Sequence, residues 1–323
     1  MAVYTHITEE DLHDCLARFD LGTLSGYEGI QEGVENTNYR ITTDRGRYIL
    51  TLFEKRVNPE ELPFYLSFMA HLQTAGIPCP VAATTSDGAR VVTIKSKPAI
   101  VTSFLDGGWP KSGITVNHCR AIGETLARMH NAVADFRIKR HNTMALPAWR
   151  SLIHATAIEA DTLEEDLYRF LDTEMDMLEK SWPRSLPRGA VHADLFPDNV
   201  FFESPQKISG VIDFYFACTD LFVYDLMLTL NPWCFDKAGV LDTEKSAALL
   251  HAYHAVRPLS AGEIKALPFM GRAGALRIIA TRLYDWFNPA KDAVVTPKDP
   301  REHIRILRFH KDVADVAAYG FVP

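Results

Sequence analysis

Alternation of apolar and polar residues dominates the first hundred positions. Tyr39, Ile41 and Thr43 alternate with polar neighbours, Asp44-Arg45-Gly46 supplies a turn, and Tyr48, Leu50 and Leu52 alternate again, which predicts a hairpin. RVVTI and PAIVTSFL predict two more strands around Lys95-Ser96-Lys97. Helical spacing appears twice in this region. Leu12, Leu16 and Phe19 form one face, opened by Thr8 with Asp11 three places on as an imperfect capping box and closed at Gly22. Leu62, Leu66, Met69 and Leu72 form another between Pro59 and Ala75, with Gly76 as the stop. IPCP, residues 77 to 80, reads as an extended connector, since each proline disfavours helix before it.

Past this point helical spacing takes over. Ile122, Leu126, Met129 and Val133 predict a helix from about Val116 to Val133. Trp149 to Trp182 reads as one or two amphipathic helices. CTDLFVYDLMLTLNPWCFD reads as an apolar helix with Asp220 and Asp225 near its start, and Ser246 to Pro323 is helical throughout. One interruption stands out: the apolar runs Val200 to Phe202 and Val211-Ile212, separated by Pro205-Gln206, predict a second hairpin. The change from strand-rich to helix-rich sequence puts a boundary at about Thr102 to Gly108, giving a first lobe over residues 1–104 and a second over 105–323.

Composition narrows the class. The 323 residues are 47% hydrophobic, enough for two lobes with a sizeable core. A formal net charge of −7 disfavours a nucleic-acid partner, which normally needs a basic face. Five cysteines, Cys15, Cys79, Cys119, Cys218 and Cys234, form no CxxC pair and read as reduced buried thiols of a cytoplasmic protein. The N-terminal MAVYTHITEEDL lacks the basic and apolar blocks of a secretory signal, and no stretch approaches the length of a membrane span.

The chemistry concentrates between Val191 and Phe214. VHADLFPDNVFF followed by GVIDF places Asp194 and Asn199 on the loop before the second hairpin and Asp213 at or just past its end. Reactive groups tend to be held on such loops by a rigid scaffold. Phosphoryl transfer needs a carboxylate to orient a hydroxyl and accept its proton, and oxygen ligands to hold Mg²⁺ against phosphates. His192, Asp194 and Asn199 keep the HxDxxxxN spacing of protein kinases, and Asp213 stands in the DFG position, followed here by Phe214 and Tyr215. A surface loop with scattered acids is the plainer alternative, but the spacing, two strand patterns and second aspartate together outweigh it.

The HADLFPDN form resembles the aminoglycoside phosphotransferase and choline kinase superfamily more than the protein kinases. With GVENTNYR, YILTLFEKR and TRLYDW it resembles the kinase-like homoserine kinases in particular. That resemblance implies an α+β, two-lobed protein-kinase-like fold, with a small antiparallel-sheet N-lobe and a larger helical C-lobe. ATP would lie in the cleft between, and Mg²⁺ on Asn199 and Asp213. It implies phosphorylation of the side-chain hydroxyl of L-homoserine to O-phospho-L-homoserine, with Asp194 accepting the proton and His192 supporting the loop. Gly33, Asn36 and Asn38 would form the turn over the nucleotide, although glycines alone fit a plain strand turn. Ser103 and Leu105 would flank the hinge that holds adenine. The usual phosphate-binding lysine position holds Thr51, and Lys55 just beyond it is either a ligand or a solvated surface lysine. Glu60 or Glu61 would pair with that cation or simply complement the helix dipole. Arg277, Arg282, Tyr284, Asp285 and Trp286 are acceptor-pocket candidates. Arg282 is the choice for a carboxylate and Asp285 for an ammonium, with Trp286 and Tyr215 beside them; helix packing is the alternative for each. His130 reads as a satisfied buried histidine and Asp225 as a support of the active loop. Another small-molecule kinase, acting on an amino alcohol, aminoglycoside or sugar, and a non-catalytic nucleotide-binding module remain open alternatives.

Overall fold

The structure is a computed structural model, and it describes residues 5–30, 36–54, 58–111, 113–289 and 297–323. The chain divides into two compact units at Asp106 and Gly107.

The first unit is built on one antiparallel sheet. Helix α1 (Glu9–Leu16) opens as its sequence requires: the Thr8 hydroxyl accepts the Asp11 N–H and the Asp11 carboxylate accepts the Thr8 N–H. Strands β1 (Leu24–Ile30), β2 (Thr37–Thr43) and β3 (Gly46–Leu52) follow, then a 3-10 turn at Pro59–Glu61 leading into α2 (Leu62–Thr74), then β4 (Val92–Ile94) and β5 (Lys97–Ser103). The sheet order is β1-β2-β3-β5-β4. Tyr39, Ile41, Leu50, Leu52, Ala99 and Val101 form one core with Leu12, Cys15, Leu16 and Phe19 from the α1 segment. Lys95 and Ser96 both adopt left-handed backbone, as a tight hairpin turn demands. Two expectations shift. The first helix stops at Leu16 instead of reaching Gly22, because the chain turns and Phe19 bridges to Thr85. Asn38, expected in the turn over the nucleotide, lies in β2 between Ile30 of β1 and Thr51 of β3, so it belongs to the sheet and not to a turn.

The second unit is mainly helical: α3 (Val116–Ala132), α4 (Leu146–Ala155), α5 (Ala157–Leu163), α6 (Leu167–Ser181), α7 (Phe222–Cys234), α8 (Thr243–Val256), α9 (Ala261–Phe287) and α10 (Arg301–Asp312). Two short ladders sit among them, β6 (Arg188–Val191) with β9 (Cys218–Leu221), and β7 (Val200–Ser204) with β8 (Lys207–Val211). The stretch expected as one or two helices is three, since the Thr156 hydroxyl bonds back to the carbonyls of Leu152 and Ile153 and ends α4 there. Cys218–Leu221 is strand, not helix, because it pairs with β6; Asp220 therefore sits in the ladder, its carboxylate accepting from Asn142 at 2.6 Å. Helices α7 and α9 approach closely. A Cβ on Gly274 would stand 3.0 Å from Leu228 Cα, so glycine there sets the spacing of the two helices that flank the loop after β6. Among the described residues no helix is long and apolar enough to cross a membrane.

Candidate active site

The loop after β6 takes a shape its own residues do not favour. Ala193 has φ +62 and Asp213 φ +63, left-handed values that cost a non-glycine residue of order 1–3 kcal/mol. Asp225, one turn into α7 and fully buried, offsets this. Its Oδ2 accepts the His192 N–H at 3.1 Å and its Oδ1 accepts the Ala193 N–H at 2.8 Å, so a single carboxylate fixes two successive amides. Burial opposes its charge, but the hydrogen bond from His130 (Nε2 to Oδ2, 3.0 Å) and the nearby imidazoles hold its pKa below the ordinary carboxylate range. His130 in turn meets the Tyr253 hydroxyl at 2.7 Å, and Arg257 donates to Tyr253 (3.2 Å) and Glu263 (2.8 Å). Burial lowers the His130 pKa, so it is a neutral donor to Asp225.

His192 is likewise buried and neutral, its pKa lowered by desolvation. Its Nδ1 accepts the Asp194 N–H at 3.2 Å and its Nε2 donates to the Ile212 carbonyl at 3.0 Å, a pattern that fits one tautomer. The imidazole thus ties the loop to the chain just before Asp213. From Asp194 the loop runs through a 3-10 turn at Pro197–Asn199, where the Asn199 N–H donates to the Phe196 carbonyl at 2.9 Å. Trp233 donates from Nε1 to the Leu195 carbonyl at 2.8 Å. The Ile212 N–H donates to the Asn199 carbonyl at 3.0 Å, which brings Asn199 beside the residue preceding Asp213. Asn199 Nδ2 donates to the Asp194 carbonyl (2.8 Å) and to Asp194 Oδ2 (3.3 Å). Arg277 Nη1, from α9, donates to Asp194 Oδ1 at 3.2 Å.

The structure therefore brings His192, Asp194, Asn199 and Asp213 together. The donor set suits Mg²⁺: with its nitrogen committed, Asn199 offers an amide oxygen, and Asp213 offers a carboxylate. Two hard oxygen donors are what an ion that keeps several waters and takes the rest from phosphates requires. No cluster of three or more His, Cys, Asp or Glu among the described residues gathers a metal elsewhere.

The acceptor candidates separate. Arg282 Nη1 donates to Glu302 at 2.9 Å and to the Asp299 carbonyl at 3.3 Å, so a ligand carboxylate would compete with both. Asp285 is exposed, and Trp286 lies under the Arg301 guanidinium at 6.0 Å. Tyr215 sits in the short turn after Asp213, half-buried. Arg277 is the arginine at Asp194, and it precedes Arg282 by five residues, a rotation of about 140° around the helix.

In the first unit Asn36 Oδ1 accepts the Glu54 N–H at 3.4 Å, and Asn38 Oδ1 accepts the Thr51 hydroxyl at 2.7 Å. Ser103 Oγ accepts the Val81 N–H at 2.9 Å, and Leu105 is half-buried just beyond β5. Lys97 is occupied by Glu54 and by Thr5 Oγ1. Gly33 and Lys55 lie outside the described residues.

The signature of the phosphotransferase enzyme family matches residues 26–259, which include the whole loop from His192 to Asp213. The chain belongs to the phosphotransferase enzyme family. Among curated relatives, a homoserine kinase of Brucella anthropi is 48% identical over 99% of this chain and 98% of its own length. One of Paramagnetospirillum magneticum is 46% identical over 99% of both. Solved structures share the fold at low identity. An amicoumacin kinase aligns with a TM-score of 0.68 at 17% identity, covering 95% of this chain and 93% of its own. A choline kinase of Cryptosporidium parvum aligns with 0.64 at 12%, covering 94% of each. As a phosphotransferase with this fold, the chain is an α+β protein-kinase-like enzyme that uses ATP.

Proposed function

We propose that the chain transfers the γ-phosphoryl group of ATP to the side-chain hydroxyl of L-homoserine, giving O-phospho-L-homoserine and ADP in the cytoplasm. The loop geometry supports the reaction class. The acceptor rests on one observation, end-to-end identity of 46–48% to curated homoserine kinases.

Asp194 is the proton acceptor in this reading. Its carboxylate is fixed by Asn199 on one oxygen and Arg277 on the other, at the tip of a loop anchored by Asp225. As the acceptor oxygen bonds to the γ-phosphorus, its proton passes to Asp194, and the bond from phosphorus to the bridging oxygen breaks with its electrons leaving on ADP. Asn199 and Asp213 would hold Mg²⁺, which when bound neutralises charge on the phosphates. His192 moves no proton: it is buried, neutral and committed on both nitrogens, and it holds Asp194 and Ile212 in register. Asn36, Asn38, Ser103 and Leu105 remain the nucleotide-side candidates of the first unit.

The test is ADP release from purified protein with ATP, Mg²⁺ and L-homoserine, L-serine, choline or kanamycin. L-Homoserine should give the highest kcat/KM, and Asp194→Asn should lower turnover about 10²–10⁴-fold, as loss of a positioned base does. Faster turnover of choline or kanamycin would refute the acceptor. An Asp194→Asn variant keeping more than about a tenth of turnover would refute the base.

A further inference from the structure

The acceptor hydroxyl must come within hydrogen-bond reach of Asp194, so the group that reads the rest of the acceptor stands only a few ångströms away. The protein places Arg277 there. Its side chain is 5% exposed, its Nη1 lies 3.2 Å from Asp194 Oδ1, and its guanidinium carbon stands 4.9 Å from the centre of the Phe216 ring. A guanidinium carries five N–H donors in a planar fork. Among the described residues, Asp194 is the one acceptor that Arg277 meets. Other arginines of this unit are better matched: Arg272 gives two N–H groups to Glu174, Arg257 bonds Tyr253 and Glu263, and Arg282 bonds Glu302 and the Asp299 carbonyl. Arg277's nitrogens are not among the buried side-chain atoms left without a partner, so its remaining donors are not sealed in the core, and a largely buried cation with open donors beside a carboxylate suits an anionic ligand.

We propose that the unused edge of Arg277 is the carboxylate subsite for an amino-acid acceptor. The inference rests on the homoserine kinase reading and names the residue that selects an amino acid over an amino alcohol. A carboxylate matches the guanidinium with two parallel hydrogen bonds. The reach is also right. Four bonds separate the hydroxyl oxygen of homoserine from its carboxyl carbon, roughly 5 Å when extended. A ligand spanning that length can present its hydroxyl to Asp194 while its carboxylate meets the guanidinium that Asp194 already touches. Serine is one methylene shorter and cannot satisfy both ends equally. Proteins of the same fold named for aminopropanol, ethanolamine and choline act on molecules with no carboxylate to read. Phe216 fixes the guanidinium plane from below, so the fork is oriented before the ligand arrives.

The experiment compares L-homoserine with L-homoserine amide, in which a neutral carboxamide replaces the carboxylate. Binding of each is titrated in the presence of a non-hydrolysable ATP analogue and Mg²⁺, for the wild type, Arg277→Gln, Arg277→Lys and Arg282→Gln. The wild type should prefer the acid by about 10- to 100-fold, the worth of a charge-assisted pair of bonds. Arg277→Gln should bring that ratio to within about 3-fold of unity while the analogue binds as before, which also reports that the variant is folded. Arg277→Lys keeps the charge beside Asp194 but loses the second parallel bond, and should recover part of the preference. A wild-type ratio retained by Arg277→Gln would overturn the inference. So would a ratio that collapses in Arg282→Gln instead. Weakened binding of the ATP analogue in Arg277→Gln with the ratio intact would overturn it too, moving Arg277 to the transferred phosphoryl group. These failures differ from failure of the function itself, which would appear as a wild type that does not phosphorylate L-homoserine at all.

Discussion

Two hairpins, one in each unit, are held in opposite ways. In β2–β3 the register runs without interruption from Thr37 opposite Leu52 to Thr43 opposite Gly46. Its inward residues, Tyr39, Ile41, Leu50 and Leu52, reach a core shared with the α1 segment. In β7–β8 the register slips twice within five residues, and left-handed residues stand before and after it at Ala193 and Asp213. There the shape comes from buried polar groups on distant helices: Asp225 on α7 holds the loop amides, and His130 on α3 holds Asp225. Apolar alternation specifies a regular ladder cheaply. A loop that departs from regular geometry at Ala193 and Asp213 needs charged hydrogen bonds, each worth about 1.5–3 kcal/mol, to keep its shape.

Asp225→Asn attacks that support and should have the largest effect. The amide has one oxygen where the carboxylate had two, so its nitrogen would face an N–H of His192, Ala193 or His130. One charged hydrogen bond is lost and one buried donor is left unmet, together about 3 kcal/mol. Urea unfolding should register that loss. Turnover should fall about 10²-fold, because a displacement of order 1 Å at Asp194 suffices for it. Full activity in Asp225→Asn would show that the catalytic loop holds its shape unaided, and the contrast between the hairpins would disappear.

The same contrast explains what the sequence revealed. The β2–β3 hairpin, the Thr8–Asp11 cap and helices α2 and α3 were legible because period and capping are local properties. Asp194, Asn199 and Asp213 were legible as a group because their spacing is that of a loop and the hairpin after it. The partners that shape the loop were not, since His130 lies 95 residues from Asp225. Cys218–Leu221 was misread because a four-residue apolar run beside a helix has no period of its own; only its pairing with β6 makes it a strand. Arg277 was one arginine among several, and Arg282 was chosen because it lies in TRLYDW and a guanidinium can engage a carboxylate with two parallel hydrogen bonds. One signal was available: Arg277 interrupts the apolar run from Gly274 to Ala280, and a charge on a buried helix face demands a partner.

Acid should separate the two units next. Burial pushes the His303 pKa well below its ordinary value and the His310 pKa down to about 3, while His130 and His192 are lowered for the same reason; all four lie in the second unit. In the first unit, the described histidines His6 and His13 are exposed and His71 is half-buried. A histidine whose folded pKa is depressed stabilises the fold fully above its unfolded value near 6.5 and loses that contribution as pH falls below it, because the unfolded chain then binds the proton and the folded one does not. At pH 5.5 each such group costs up to about 1.4 kcal/mol. Amide hydrogen exchange measured at pH 7.5 and 5.5, corrected for intrinsic rates, should show protection falling in α7, α9 and α10 and holding in β2, β3 and β5. Equal losses in both sets would mean that the buried histidines do not set the acid sensitivity.

The smallest effect should come from Thr51→Val in the regular hairpin. Thr51 is buried, sits opposite Asn38 and donates its hydroxyl to the Asn38 side-chain oxygen at 2.7 Å. Valine has nearly the same shape and the same β-branch, so packing and strand preference are kept and one neutral hydrogen bond is removed. Such a bond contributes about 1 kcal/mol net. Asn38 is only half-buried, so water can replace the hydroxyl and the cost should lie at or below that figure. Urea midpoints of Thr51→Val and wild type, at equal slope, give the difference directly. The polar pair occupies one rung of a seven-rung ladder, while four large apolar residues on the opposite face anchor the rest. A loss above about 2 kcal/mol would mean that this hairpin too depends on a buried polar contact, because it exceeds what one neutral hydrogen bond supplies.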